Sequence, residues 1–209
     1  LQVEEEGARL AAADNFEIEI VGKGAHGAMP SNSIDPIVCG SALVQNLQHI
    51  VSRNSNPKET LVITIASFHS GKANNVIPKN ATLNGTIRYY DDDIGKMVKK
   101  RFFEVVNNTC KAYGAKPIIK FNKGYPATVN HKKQSENVLE AAKKVVGKKA
   151  GAPYLSMAGE DFSYYLQKTP GCFFFVGSAP NKKNLFETPH HCSHFNMDER
   201  ALLVGPSIY

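Results

Sequence analysis

The sequence predicts an α+β protein whose first part is a ferredoxin-like domain with the element order β-α-β-β-α-β. Two observations predict this class: short segments alternate apolar and polar residues, and two longer segments carry apolar residues at helical spacing. Of the 209 residues, 42% are hydrophobic and 21% are charged, which excludes a disordered or fibrous chain. No apolar run approaches the ~20 residues that span a bilayer, so we expect no membrane partner.

The first strand and the first helix follow from local patterns. Residues 15–21 alternate phenylalanine and isoleucine with glutamate, which predicts a strand with one charged face. A helix over residues 35–52 is predicted to begin with Asp35 as its N-cap and Pro36 in its first turn. Apolar residues recur at helical spacing over residues 43–51, so one face of this helix should pack on a sheet.

The second half of the same domain repeats this order. Residues 60–68 are β-branched and apolar, which predicts a strand buried on both faces, and residues 81–90 alternate again. Acidic residues 91–93 favour the N-terminus of a second helix over residues 94–112. A last strand is expected over residues 117–121, which completes a four-stranded antiparallel sheet with both helices on one face.

After residue 126 the pattern changes. We predict a lysine-rich helix over residues 134–147, a short helix after residue 161, an apolar strand over residues 172–176 and a final helix near residue 198. One strand cannot close a sheet, so this segment is expected to be the last part of a domain whose beginning is absent.

The charge balance limits the classes of partner that we expect, and the cysteine spacing bears on the cellular compartment. Lysine and arginine number 25 against 19 acidic residues, for a net charge of +6, and most of the excess lies between Lys96 and Lys149. The lysines fit either solvated helix faces or a nucleic-acid surface; no aromatic-rich binding motif accompanies them, so we expect no nucleic-acid partner. The four cysteines are widely spaced and no signal peptide is recognisable, which predicts reduced thiols in a cytoplasmic protein.

The glycine-rich segment GKGAHG at residues 22–27 matches the GxGxxG fingerprint of dinucleotide-binding loops. We expect no dinucleotide here, because residues 28–34 separate the segment from the helix and no acidic residue ends the next strand. His26 lies between glycines, where no core is available to hold a structural imidazole. A functional His26 and an ordinary surface histidine both remain open from this pattern.

A second histidine-rich segment, HHCSH at residues 190–194, holds four potential metal ligands. Imidazole suits zinc, manganese, cobalt or nickel, but a surface loop is an equally good interpretation. A single short segment cannot supply a whole coordination sphere, so its partners would have to come from elsewhere.

Two polar residues of the first domain are candidates for substrate binding. Asn75 precedes the Val-Ile-Pro turn, and Arg88 shares a strand face with threonines and Asn84 rather than with the apolar residues. Arg88 can be a surface charge, or its fork of N–H donors can hold a substrate carboxylate.

Six segments follow one another along nearly the whole chain: GKGAHGAMP, SIDPIVCGSALVQNLQHIVSR, SFHSGKANNVIP, LNGTIR, MAGEDFSYYLQKTPGCFFFVG and HHCSHFNMDERAL. In these segments the chain resembles the metal-dependent amidohydrolases that include hippurate hydrolases, N-acyl-amino-acid amidohydrolases and auxin-conjugate hydrolases, in the aminoacylase and carboxypeptidase superfamily. The resemblance implies an α/β catalytic domain interrupted by a ferredoxin-like lid that forms dimers. It assigns residues 1–13 to a linker, 14–126 to the lid and dimerisation domain, and 127–209 to the C-terminal part of the catalytic domain.

The resemblance also implies a reaction and its residues. An intact member hydrolyses the amide bond of an N-acyl amino acid or small peptide with a water that two divalent metal ions activate. By the same resemblance His26 is a catalytic donor to the oxyanion, Asn75 and Arg88 bind substrate, and His191 binds one metal. A homodimer through the lid is implied as well.

The family's Cys-Gly-His-Asp segment, its pair of glutamates and a further histidine are not found in this sequence. The resemblance therefore implies a partial chain that lacks the N-terminal catalytic half. The alternative is a catalytically incomplete fragment that serves as a dimerisation or interaction module.

Overall fold

The computed structural model describes residues 7–151, 154–180, 192–193 and 195–209. The chain divides into two compact units. The larger unit comprises Leu10–Ala127 and Met157–Glu160, and the smaller unit comprises the residues before Leu10 together with Thr128–Ser156 and Asp161–Tyr209.

Thirteen strands and α-helices are numbered along the described residues. The strands are β1 Gly7–Leu10, β2 Ala12–Val21, β3 Ala25–His26, β4 Leu61–Ser70, β5 Val76–Ile77, β6 Asn80–Tyr89, β7 Lys116–Tyr125 and β8 Thr128–Asn130. The helices are α1 Pro36–His49, α2 Asp92–Ala112, α3 Lys132–Val146, α4 Phe162–Leu166 and α5 Ala201–Val204. A π-helical turn, Ile50–Asn54, extends α1.

The larger unit has the predicted ferredoxin-like fold. Its sheet has the order β4-β6-β2-β7, and every neighbouring pair is antiparallel. Alternate residues of β2 and β6 share one buried core with the apolar faces of α1 and α2, so both helices cover the same face of the sheet. The prediction of a four-stranded antiparallel sheet with two helices on one face is confirmed.

Helix capping and aromatic packing explain why this order is stable. Asp35 and Asp91 accept backbone N–H bonds at the starts of α1 and α2, which satisfies donors that a helix leaves unpaired. Phe102 of α2 is fully buried, with its ring centroid 4.7 Å from that of Phe16 and 5.6 Å from that of Phe121. This aromatic cluster joins α2 to the two strands beneath it.

Strand β4 differs from its prediction. Residues 60–68 were expected to be buried on both faces, but Val62 and Thr64 are exposed and Leu61 and Ile63 are buried. The reason is topological: β4 is an edge strand, and the helices of the larger unit cover one face only. The prediction of two buried faces is therefore wrong.

The smaller unit is built around α3. Ala142 of α3 packs with Ile208 in a small core that also includes partly buried Leu139 and Phe174. Strands β1 and β8 form a two-stranded sheet, so part of the predicted linker, residues 7–10, is a strand. None of the helices formed by the described residues is long and apolar enough to cross a membrane.

The predicted strand over residues 172–176 is absent, apart from one isolated bridge at Phe175. The Phe173 N–H donates to Asn130 Oδ1 at 2.7 Å, and its carbonyl accepts from Asn130 Nδ2 at 2.9 Å. A side-chain amide therefore takes the place of a strand partner, which an apolar run cannot reveal. This prediction is wrong.

Candidate functional site

His26 and Asn75 lie together in a two-stranded ribbon that continues from one end of the large sheet. In this ribbon β3 pairs with β5, and His26 is directly opposite Val76. The Gly27 N–H donates to the Asn75 carbonyl oxygen at 2.8 Å, which extends the pairing by one residue. Both side chains are exposed, so an imidazole and a carboxamide are accessible within the same short segment of the ribbon.

The glycines of this ribbon allow backbones to approach closely. A Cβ atom at Gly22 would lie 2.1 Å from the Ile34 carbonyl oxygen, and one at Gly24 would lie 2.9 Å from the Ile77 carbonyl oxygen. Gly22 also donates its N–H to the Lys79 carbonyl at 2.8 Å. The GxGxxG spacing therefore serves chain packing here, because any side chain would separate the paired segments.

A local hydrogen bond orients the His26 imidazole. The Ala28 N–H donates to Nδ1 of His26 at 3.1 Å, so Nδ1 is an acceptor and the neutral ring carries its proton on Nε2. The exposed Nε2–H is a donor that points away from this bond. Such a group can donate to a negatively charged oxygen without first changing its tautomer.

Arg88 lies on the sheet face opposite the helices, in register with Ala13 of β2. Its side chain is half-buried. Within the described part of the chain its guanidinium takes part in no hydrogen bond or ion pair. A half-buried guanidinium with open donors is suited to a bidentate carboxylate ligand.

The segment Met157–Glu160 passes beside Arg88. Its Ala158 carbonyl accepts from the Ala11 N–H at 2.9 Å, which ties the segment to the start of β2. A Cβ atom at Gly159 would lie 3.2 Å from Nη1 of Arg88. Glycine at position 159 therefore leaves room for the guanidinium.

Buried polar bonds hold the strand ends that carry Arg88. The hydroxyl of Tyr89 donates to Oδ2 of Asp14 at 3.0 Å, and the Gly124 N–H donates to Oδ1 at 3.1 Å. Burial, followed by the neighbouring Asp14 carboxylate, raises the pKa of Tyr89 well above its ordinary value. The phenol therefore remains a neutral donor, and β2, β6 and β7 are fixed together at this end.

The structure brings His26 and Asn75 together but does not bring Arg88 to them. Strand β6 begins at Asn80, beside the ribbon, and Arg88 is near its other end. Eight residues of strand at ~3.3 Å each separate Asn80 from Arg88 by about 25 Å. This distance is longer than an N-acyl amino acid, so His26 and Arg88 of one copy of the larger unit lie too far apart to contact the same small molecule.

The described residues do not fit a metal centre by themselves. No three His, Cys, Asp or Glu side chains converge among residues 7–151, 154–180, 192–193 and 195–209. His191, the predicted metal ligand, lies outside the described residues. Burial raises the pKa of Cys172, which disfavours the thiolate form that binds metals.

Sequence reasoning missed two neighbours of the candidate residues. Gly159 adjoins Arg88, although 71 positions separate them in the chain, and Val76 faces His26 across the ribbon. The signal for Val76 was its place directly after Asn75, in a segment otherwise rich in polar and turn residues. No local signal marks Gly159, because its contact depends on the sheet register.

Comparison with known proteins agrees with this architecture. Residues 12–114 match the model of the peptidase dimerisation domain of the M20 family. The chain is 40% identical over 205 residues to the putative amidohydrolase YhaA of Bacillus subtilis, covering 97% of this chain and 51% of that protein. It is 39% identical over 197 residues to the N-acetyl-L-cysteine deacetylase of the same organism, covering 94% and 46%.

A solved structure shows the same likeness. The Bacillus subtilis YXEP protein, described as a dinuclear metal binding peptidase from the M20 family, superposes with a TM-score of 0.75 at 27% identity. The match covers 99% of this chain and 50% of that one. The chain thus spans about half the length of the relatives it matches.

Proposed function

Because the chain belongs to the M20 family of peptidases and amidohydrolases, we propose that it acts in the hydrolysis of the amide bond of N-acyl amino acids such as hippurate, or of small peptides. The orientation of His26 carries this proposal. Amide hydrolysis passes through a tetrahedral oxyanion, and the accessible Nε2–H of a neutral imidazole is a suitable donor to it. The name of the N-acetyl-L-cysteine deacetylase relative is consistent with this substrate class.

Asn75 and Arg88 take the substrate-binding roles in this proposal. Asn75 is exposed, and its backbone carbonyl oxygen accepts from the N–H of Gly27, the residue after His26. Its carboxamide is therefore available to hydrogen-bond the amide group of the substrate. Arg88 holds the free α-carboxylate, since its guanidinium is half-buried and uses no donor within the described part of the chain. Recognition of this carboxylate would favour N-acyl amino acids over simple amides.

The separation of these residues leads to a two-subunit site. About 25 Å of strand lies between Arg88 and the ribbon of the same subunit. A site that contains Arg88 of one subunit therefore takes His26 and Asn75 from the partner subunit. Dimerisation would then be required for activity.

The two edges of the large sheet support a homodimer through β4. Strand β7 carries Lys116, Lys120 and Lys123, whereas β4 carries no lysine, arginine, aspartate or glutamate. Edge lysines oppose strand-to-strand association, and an uncharged edge permits it. We therefore expect a second copy of the chain to pair along β4.

We further propose that the complete site holds two divalent metal ions, with zinc, manganese, cobalt or nickel as candidates and His191 as one ligand. The support is the dinuclear site named for the YXEP structure and the imidazole-rich segment 190–194. The described residues form no ligand cluster, so the other ligands would have to lie outside them.

Kinetics of a His26→Gln variant test the proposal in the full-length product of the gene. Loss of an oxyanion donor should lower kcat by about 10²–10³ and leave KM for N-benzoylglycine nearly unchanged, because the donor acts mainly in the transition state. His49→Gln is the matched control, since His49 is exposed on α1. If the parent protein hydrolyses no N-acyl amino acid at any metal concentration, the interaction-module alternative replaces the enzyme.

A further inference from the structure

Two exposed apolar side chains flank His26. Val76 is 51% exposed and Met29 is 57% exposed. Val76 is directly opposite His26 in the β3–β5 pair. The side chains of Val76 and His26 therefore project from the same face of the ribbon, with their Cβ atoms about 4.5–5.5 Å apart. The Met29 N–H donates to the His26 carbonyl at 2.8 Å, a turn that brings Met29 back beside the histidine.

Val76 and Met29 are both apolar and both exposed. Single exposed apolar residues are common on protein surfaces, but here two of them adjoin one accessible imidazole donor in a glycine-rich segment. Neither Val76 nor Met29 belongs to the core of the larger unit, so neither side chain contributes to its stability by burial there. They are therefore available to an apolar group that is held next to His26.

We propose that Val76 and Met29 contact the acyl group of the substrate and set a preference for large apolar acyl groups. This inference rests on the proposed function. A donor to the oxyanion lies next to the carbonyl carbon, which bears the acyl group on one side and the amide nitrogen on the other.

The position of Arg88 decides between these two sides. In the proposed two-subunit site Arg88 of one subunit holds the carboxylate of the amino-acid portion, whereas His26 comes from the other subunit together with Val76 and Met29. The amino-acid portion therefore points toward the lid that supplies Arg88. The side chains that accompany His26 face the opposite portion, which is the acyl group.

Acyl-group selectivity tests the assignment in the full-length protein. Val76→Thr keeps the shape and the strand preference of valine but replaces a methyl group with a hydroxyl. The kcat/KM ratio for N-benzoylglycine over N-acetylglycine should fall about ten-fold, and Met29→Gln should shift it in the same direction. Val129→Thr, at an exposed valine of β8, should leave the ratio unchanged. If both variants beside His26 kept this ratio within about two-fold of the parent, the proposal would be overturned. A merely structural effect would lower kcat/KM for both substrates alike and leave their ratio unchanged.

Methyl NMR provides a measurement that needs no turnover. On titration with N-benzoylglycine, the ring current of the benzoyl group should shift the Val76 methyl resonances and leave those of Val129 in place. Unshifted Val76 methyls at saturation would overturn the assignment. Shifted methyls in a protein that hydrolyses neither substrate would support the acyl contact and refute the proposed function, so the two failures are distinguishable.

Discussion

Replacement of Arg88 by alanine should weaken the binding of substrates that have a free carboxylate. A charge-assisted pair contributes roughly 1.5–3 kcal/mol, which corresponds to about a ten- to hundred-fold increase in KM. The structure favours the upper part of this range, because the guanidinium is half-buried and commits no donor elsewhere in the described part of the chain. Because Arg88 makes no internal ion pair there, the thermal stability of the larger unit should change little.

The assay compares N-benzoylglycine with N-benzoylglycinamide, which lacks the carboxylate. Arg88→Ala should raise KM for the acid and leave the carboxamide nearly unaffected, with kcat changed little because the clamp acts on ground state and transition state alike. Arg53→Ala is the control, since Arg53 is exposed and bonds only its neighbouring Ser52 carbonyl among the described residues. Equal effects on the acid and the carboxamide would refute the clamp.

Three further changes probe the fold and the dimer. Phe102→Ala should lower the free energy of unfolding of the larger unit by about 3–5 kcal/mol in urea titrations, because it empties the aromatic core; a loss below about 1 kcal/mol would contradict this packing. Burial raises the pKa of Cys110 from 9.0 to about 12, so its contribution to stability is present below pH 9 and is lost as the pH rises toward 12; Cys110→Ala should flatten the alkaline fall in unfolding free energy. Val62→Lys on the β4 edge should convert dimer to monomer in light scattering, whereas Ile118→Lys on the β7 edge should not, and the reverse result would exchange the roles of the edges.

Local patterns were sufficient for the larger unit. The alternation in β2, the Asp35 cap of α1 and the acidic start of α2 are each specified by a few neighbouring residues, and together they predicted the ferredoxin-like order. The exposure of Val62 was not predictable in this way, because it depends on β4 being an edge strand. Edge position is a property of the whole sheet.

The candidate site was less accessible to sequence reasoning. The segment around Phe173 has the composition of a buried strand, yet its backbone is bonded by the Asn130 side chain from 43 positions away. The separation of Arg88 from His26 likewise emerges only from the register of β2 and β6. The catalytic role of His26 stays a prediction, because a histidine between glycines fits a functional residue and an ordinary surface residue equally well.

Subunit complementation tests the two-subunit site most directly. His26→Ala removes the proposed oxyanion donor, and His191→Ala removes a proposed metal ligand, so each variant alone should keep about 1% of the parental activity or less. If the partner supplies His26, each heterodimer of the two variants has one intact site out of two. Because about half of the randomly assorted dimers are heterodimers, co-expression should recover about a quarter of the parental activity. If His26 serves its own subunit, no site in the mixture is intact, and the absence of any recovered activity in verified heterodimers would contradict the account.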